Sequence, residues 1–223
     1  MKTRTLLILF FSLLVFDQAS KLYIKTHFML GEEVRVFDWF IIHFTENPGM
    51  AFGMEWGGAA GKILLTAFRL LVAIAGTYYL RTLILAKAHK GLLFSVTLIL
   101  AGAIGNLIDG IFYGVLFSDS LGRVATFLPD GGGYAGWLGG YVVDMLYFPL
   151  WTGVLPEWIP FQGGHYFVFF SPVFNIADSA ITTGIFIILF FQKRFFPEEK
   201  KSDTIADNNP QSSSIENKSL AGD

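Results

Sequence analysis

Four long apolar runs limit what this chain can fold into. They cover about residues 5–24, 63–80, 92–112 and 173–191, and each is close to the roughly 20 residues that an α-helix needs to cross a bilayer. Hydrophobic residues make up 53% of the 223 residues and charged residues only 15%, which is typical of membrane proteins. The sequence therefore predicts an all-α integral membrane protein with four transmembrane helices.

The first apolar run has two interpretations. Residues 6–16 follow Lys2 and Arg4, as the apolar core of a secretory signal peptide would. Asp17, however, stands where small residues should precede a cleavage site, and a spanning pattern continues to Ile24. A retained first helix is the favoured interpretation.

The segments between the apolar runs predict a small β and loop subdomain outside the membrane. Residues 28–60 are too polar to span, and within them 34–45 reads as strand or interfacial structure. Residues 113–166 are rich in Gly and aromatic residues and predict a second outer loop. The four-helix domain covers 1–196, and the polar segment 197–223 predicts a disordered cytoplasmic tail.

The distribution of basic residues predicts the orientation of the helices. With four spans, both termini lie on the same side of the membrane. Most of the 16 Lys and Arg residues lie at the termini and in segment 81–90, and fewer lie in the other two loops. By the positive-inside rule, both termini are expected to be cytoplasmic.

In this orientation, polar side chains from three helices and two loops fall at one depth, near the outer surface. These residues are Asp17, Asn47, Asn106, Asp109, Asp144, Asn175 and Asp178. Two pairs, Asn106 with Asp109 and Asn175 with Asp178, are spaced three apart, so on a helix each pair would share a face. Helix–helix hydrogen bonding would explain any one of them alone, but their common depth favours a site.

Two neighbouring carboxylates can share a proton, so that one activates a water while the other donates to a carbonyl oxygen. The candidates are Asp17, Asp109, Asp144 and Asp178. Lys21 would neutralise Asp17 at i,i+4 spacing, and Asn106 lies beside Asp109, so spacing favours Asp144 and Asp178 as the pair. This chemistry needs no metal or organic cofactor.

Other functional classes fit the sequence less well. There are no cysteines, the four histidines lack metalloprotease spacing, and a net charge of −2 argues against nucleic acid binding. The main alternative is a non-enzymatic protein, either a small transporter or a helix-packing scaffold, whose acids carry protons or stabilise the bundle. A transport pathway would need polar residues in both halves of the bilayer, and here they lie in one.

Five sequence blocks resemble, in order, the lipoprotein signal peptidase family, also called signal peptidase II. The blocks are DQxxK at 17–21, NPGMAF at 47–52, GAIGNLID at 102–109, VVD at 142–144 and FNIADSAI at 174–181. The resemblance implies an aspartyl endopeptidase of the bacterial inner membrane with its active site on the periplasmic side. Such an enzyme cleaves the signal peptide from prolipoproteins just before the diacylglyceryl-modified cysteine.

The resemblance also implies roles for individual residues. Asp144 and Asp178 match the catalytic pair. Supporting or substrate-binding positions are matched by Asp17, Lys21, Asn47, Gly49, Ala51, Asn106, Asp109 and Asn175. A β-cradle is implied within 28–60 and a periplasmic helix within 54–61. The implied partners are prolipoproteins, membrane lipid and globomycin-type peptide inhibitors, and the implied state is a monomer.

Two features depart from the family pattern. Gly110 follows Asp109 where the family usually has Arg, so a basic contact is either missing or supplied by Arg69 or Arg123. The segments on both sides of Asp144 are also longer than usual, so the family pattern does not define the shape of the entrance to the site.

Overall fold

The computed structural model describes residues 2–48 and 58–197. Within these ranges, four helical segments are long and apolar enough to cross a membrane. Their elements are α1 (Thr3–His27), α2 (Gly58–Leu85), α3 (Lys90–Ile108) with a π-helical turn (Asp109–Tyr113) and α4 (Gly114–Leu116), and α5 (Ile176–Phe195). The α3 segment is the centre of the bundle. Of the residues in its most apolar stretch, 61% are buried, compared with 17% in each of the other three helices.

Close approach of the helices depends on glycines in α3. A Cβ atom on Gly102 would lie 2.3 Å from the backbone oxygen of Ala177 in α5, and one on Gly105 would lie 2.7 Å from a carboxylate oxygen of Asp17 in α1. Neither distance is sterically tolerable, so only glycine permits this packing.

The structure also contains antiparallel sheets, so the prediction of an all-α protein was imprecise. The strands are β1 (Glu33–Phe37), β2 (Phe40–Asn47), β3 (Val142–Tyr147), β4 (Trp151–Val154), β5 (Tyr166–Phe169) and β6 (Val173–Phe174). One sheet has the order β1-β2-β3-β6, and β4 pairs with β5 in a second sheet. The larger sheet joins segments about 100 residues apart, and such pairing leaves no local signal in the sequence.

The last membrane helix begins later than the sequence predicted. Residues 173 and 174 belong to β6, and Asn175 has extended backbone geometry (φ −126°, ψ −178°) as the N-cap of α5. Its side chain accepts a hydrogen bond from the Asp178 N–H, which is the interaction that starts the helix. The expectation that Asn175 and Asp178 share one helical face was therefore wrong, since Asn175 precedes the helix.

The larger sheet packs its buried side against α1 and the end of α3. Val143 and Phe44 are fully buried there with Ile24, Tyr113 and Phe117. This core fixes β3, the strand that carries Asp144, against the helices.

Some predicted features fall outside the described residues. These are Gly49, Ala51, residues 54–57 of the implied periplasmic helix, and the tail from 198 onwards. Residues 58–61 form the first turn of α2.

Candidate active site

Asp144 and Asp178 are joined through a single residue, Asn175. Asp144 lies on β3 and is 2% exposed, whereas Asp178 lies in the first turn of α5 and is half-buried. The Asn175 amide donates to Asp144 Oδ1 at 2.6 Å. The side-chain oxygen of Asn175 accepts from the Asp178 backbone N–H at 2.9 Å. The backbone N–H of Asn175 donates to Asp178 Oδ2 at 3.4 Å. The turn that caps α5 therefore also connects the two carboxylates.

The capping bond determines which way the Asn175 amide points. Because its oxygen accepts from a backbone N–H, its NH₂ group must face Asp144. That NH₂ group also donates to Asn106 Oδ1 at 3.1 Å. A second donor to Asp144 is Asn47 at the end of β2, with its Nδ2 3.3 Å from Asp144 Oδ2.

Asn106 on α3 has the same arrangement relative to the other carboxylate. Its oxygen accepts from Lys21 Nζ at 2.8 Å, so its NH₂ group points to Asp178 Oδ1 at 2.7 Å. Each aspartate of the pair thus accepts from an asparagine whose orientation is set by another donor.

Lys21 lies at the centre of a fully buried charge cluster. Its Nζ is 3.0 Å from Asp17 Oδ2 and 2.9 Å from Asp109 Oδ2, and all three side chains are 0% exposed. The predicted i,i+4 pair of Asp17 and Lys21 is confirmed. Gln18, which the candidate residues did not include, donates to Asp109 Oδ1 at 2.9 Å and to Gly105 O at 3.1 Å.

The two aspartates of this cluster also bind backbone from the elements that carry the pair. Asp17 Oδ1 accepts from the Ala177 N–H at 2.9 Å, and Asp109 Oδ2 accepts from the Val143 N–H at 3.3 Å. Ala177 precedes Asp178 and Val143 precedes Asp144. Asp17 and Asp109 therefore hold the main chain immediately before each member of the pair.

The environment of Asp144 changes its acidity. Burial raises the pKa of Asp144, the negative charge of Asp178 raises it further, and hydrogen bonds from Asn175 and Asn47 lower it, which gives a pKa of about 7. A carboxyl group with this pKa can hold a proton at neutral pH and donate it to a reacting group.

Of the two arginines considered as substitutes for a basic residue at 110, Arg69 lies near the site. Its charge interacts with Asp178 most strongly and also with Asp109 and Asp144. Thr66, one turn earlier on α2, packs so closely that a Cβ atom on Gly110 would lie 3.2 Å from its methyl carbon. Arg123, in contrast, is exposed and bonds to Asp119.

A second buried lysine was not predicted as part of any site. Lys25, one turn after Lys21, is 0% exposed, forms an ion pair with Glu46 and donates to Ser120 Oγ at 2.7 Å. It also lies 4.9 Å from the centre of the Tyr134 ring. Its i+4 spacing from Lys21 was the available signal, since both lysines follow one face of α1.

An apolar groove of about 260 Å³ lies between α2 and α3. Leu70 and Thr77 line one side, and Ile104, Leu107 and Ile111 line the other. Leu70 follows Arg69, and Leu107 follows Asn106, so the groove is lined by residues next in sequence to polar residues near the aspartate pair.

Comparisons with known proteins agree on the family. The sequence matches the family model for signal peptidase (SPase) II over residues 9–193. A lipoprotein signal peptidase from Porphyromonas gingivalis is 51% identical over 178 residues, which cover 79% of this chain and 77% of that protein. One from Amoebophilus asiaticus is 38% identical over 179 residues, covering 78% and 72%.

Two solved bacterial membrane enzymes, determined by the in meso method at 2.3 and 1.9 Å resolution, have a similar fold. Their TM-scores are 0.56 and 0.54, with 22% and 24% identity. The matches cover 89% and 85% of this chain, and 96% and 93% of those chains. The family match spans most of the chain, and this chain therefore belongs to the signal peptidase II family of peptidases.

Proposed function

We propose that this protein is an aspartyl endopeptidase that cleaves the signal peptide from prolipoproteins just before their diacylglyceryl-modified cysteine. The observation that carries the proposal is the connected pair of Asp144 and Asp178, each held by an oriented asparagine at one end of a membrane bundle. The alternative of a small transporter or packing scaffold is not favoured, because the family is one of peptidases.

In the proposed reaction the two carboxyl groups have different protonation states. Asp144, with its raised pKa, holds the proton, and the half-buried Asp178 is the ionised base. Asp178 takes a proton from a water as the water oxygen attacks the scissile carbonyl carbon, and Asp144 gives its proton to the carbonyl oxygen. When the C–N bond breaks, Asp178 returns its proton to the leaving amine, and the hydroxyl proton goes back to Asp144.

The surroundings of the pair support this division of roles. Asn47 and Asn175 donate to Asp144, and Asn106 donates to Asp178, so each carboxyl group is oriented before substrate arrives. The positive charge of Arg69 attracts the carboxylate of Asp178.

Substrate binding would use the apolar groove between α2 and α3. A signal peptide has an apolar segment and the modified cysteine carries acyl chains, and both favour a groove that opens to lipid. By the distribution of basic residues, the termini would be cytoplasmic and the pair would face the periplasm. The protein would act as a monomer, with globomycin-type peptides competing for the same site.

The test is cleavage of a prolipoprotein by the purified protein in lipid nanodiscs. Asp144→Asn and Asp178→Asn should each lower kcat by about 100-fold to 10,000-fold, because each removes one proton-transfer group while keeping the side-chain shape. Asp119→Asn, at an exposed position away from the pair, is the matched control and should keep full activity. Near wild-type turnover in either variant of the pair would refute the assignment.

A further inference from the structure

The β4–β5 hairpin presents an unusually aromatic and nearly uncharged surface. Between Phe148 and Pro172 there are no Lys, Arg or Asp residues, one Glu (Glu157) and one His (His165). The large side chains are exposed: Phe161 at 100%, Trp158 at 79% and Tyr166 at 69%. Trp151 and Phe169, which face each other across the hairpin, are exposed at 47% and 54%. A surface of this kind needs a partner.

The hairpin is tied to the end of the bundle that holds the aspartate pair. The segment between β3 and β4 contains Phe148, whose ring lies 5.6 Å from that of Phe174. On the other side of the hairpin, Phe170 lies 5.9 Å from the same ring. Phe174 is followed by Asn175 and then by α5, which is a membrane span. The base of the hairpin therefore adjoins the point where α5 leaves the membrane.

Composition identifies the chemistry of the partner. Trp and Tyr concentrate at the boundary between hydrocarbon and water, where an apolar ring and a polar N–H or O–H are both accommodated. Phe161 and Trp158 lie in the loop between β4 and β5, at the end of the hairpin opposite to Phe148 and Phe170. One acidic residue in 25 gives little electrostatic repulsion from anionic phosphates.

We infer that the β4–β5 hairpin inserts its aromatic side chains into the phospholipid leaflet at the aspartate end of the bundle. It is then a second membrane contact, continuous with the span α5, and it fixes how deep the aspartate pair lies relative to the lipid headgroups. The inference does not depend on the proposed reaction, because the contact is a property of the fold and its surface.

The experiment uses tryptophan fluorescence in full-length protein reconstituted in phosphatidylcholine vesicles. A variant that keeps only Trp158, with the other tryptophans changed to Phe, reports on the hairpin. Two further probes provide references in the background with Trp158→Phe. Phe190→Trp places a probe on the membrane span α5, at a side chain that is 78% exposed, and Leu121→Trp places one between the charged side chains of Asp119 and Arg123.

The readout is quenching by lipids brominated near the top of the acyl chain against quenching by aqueous iodide. We expect Trp158 to respond as the Phe190→Trp probe does, with at least half of its quenching by brominated lipid and little by iodide. Quenching like that of the Leu121→Trp probe would overturn the inference. Protection from both quenchers would also overturn it, since the hairpin would then be covered by protein, such as a second copy of this chain.

A variant that keeps only Trp151 repeats the measurement from β4 and guards against misfolding of one variant. Both variants are compared with the wild type by circular dichroism and gel filtration before they are reconstituted in the vesicles. Agreement between the two probes is expected, because both lie on the same hairpin.

Discussion

The two buried lysines of α1 lie one turn apart and have different surroundings. Lys21 contacts two carboxylates and the Asn106 amide, and through that amide it reaches Asp178. Lys25 contacts one carboxylate, a serine hydroxyl and aromatic rings, all belonging to the sheet and the 117–134 segment. The same residue type thus orients the amide that binds Asp178 at one position and fastens the sheet at the next. Substitution of each lysine separates these two roles.

The largest effect is expected from Lys21→Met. It leaves Asp17 and Asp109 buried without their cation and removes one of the two donors to the Asn106 oxygen, so stability should fall by about 3–5 kcal/mol. Cleavage per folded molecule should fall by at least about 100-fold, since the Asn106 amide that donates to Asp178 is then held by Asn175 alone. Thermal unfolding and prolipoprotein cleavage measure the two losses. Normal turnover in the folded fraction would mean that Asn106 keeps its orientation without Lys21.

Lys25→Met should affect stability but not chemistry. Glu46 loses its cation in a nearly buried position, which should cost about 3 kcal/mol. Turnover per folded molecule should stay within about threefold of wild type. The double variant Lys25→Met with Glu46→Gln should recover much of the stability, because it removes the unpaired charge as well. A fall in turnover as deep as that of Lys21→Met would remove the distinction between the two lysines.

The pH dependence gives a finer comparison. The pKa of Asp144 rises from its usual 3.8 to about 7 on folding, so the folded protein holds this proton more tightly than the unfolded chain. Stability from this group is therefore complete below about pH 4 and is lost as the pH rises through about 7. Asp144→Asn should flatten the change in melting temperature across this window.

The same titration distinguishes the lysines. The positive charge of Lys21 lowers the pKa of Asp144, whereas the charge of Lys25 is paired with Glu46. In Lys21→Met the pKa of Asp144 should therefore be higher, so the pH range over which stability is lost should extend to higher pH. In Lys25→Met this pH range should not change. In wild type, kcat should fall as the pH rises through about 7, because Asp144 then loses the proton that it donates. A rate that increases through this range would exclude Asp144 as the acid.

The smallest effect is expected at the exposed ion pair of Asp119 and Arg123. Both side chains are well solvated, so their attraction is screened by water and salt. Arg123→Ala should change neither the melting temperature nor the cleavage rate measurably. A large loss of activity would show that Arg123, and not Arg69, supplies a basic contact to the substrate.

Sequence reasoning located the membrane helices and the buried pair of Asp17 and Lys21, because apolar length and i,i+4 spacing are local signals. It placed Asn175 inside a helix, since the three-residue spacing to Asp178 fits a helix interior and an N-cap equally well. It predicted strand structure within 34–45 but missed the pairing of β2 with β3 and the bond from Lys25 to Ser120. These join residues that are 95 or more apart in sequence, and composition gives no indication of such partners.

The capping turn of α5 has a consequence for biosynthesis. Asp178 lies in the last membrane helix of the described chain, and Asn175, the residue that caps this helix, also binds Asp144. A nascent chain inserted only through α3 already contains Lys21 and its two carboxylates but lacks both Asp144 and Asp178. The connected pair therefore forms only in a late step of translation, when β3 and the start of α5 have both been made.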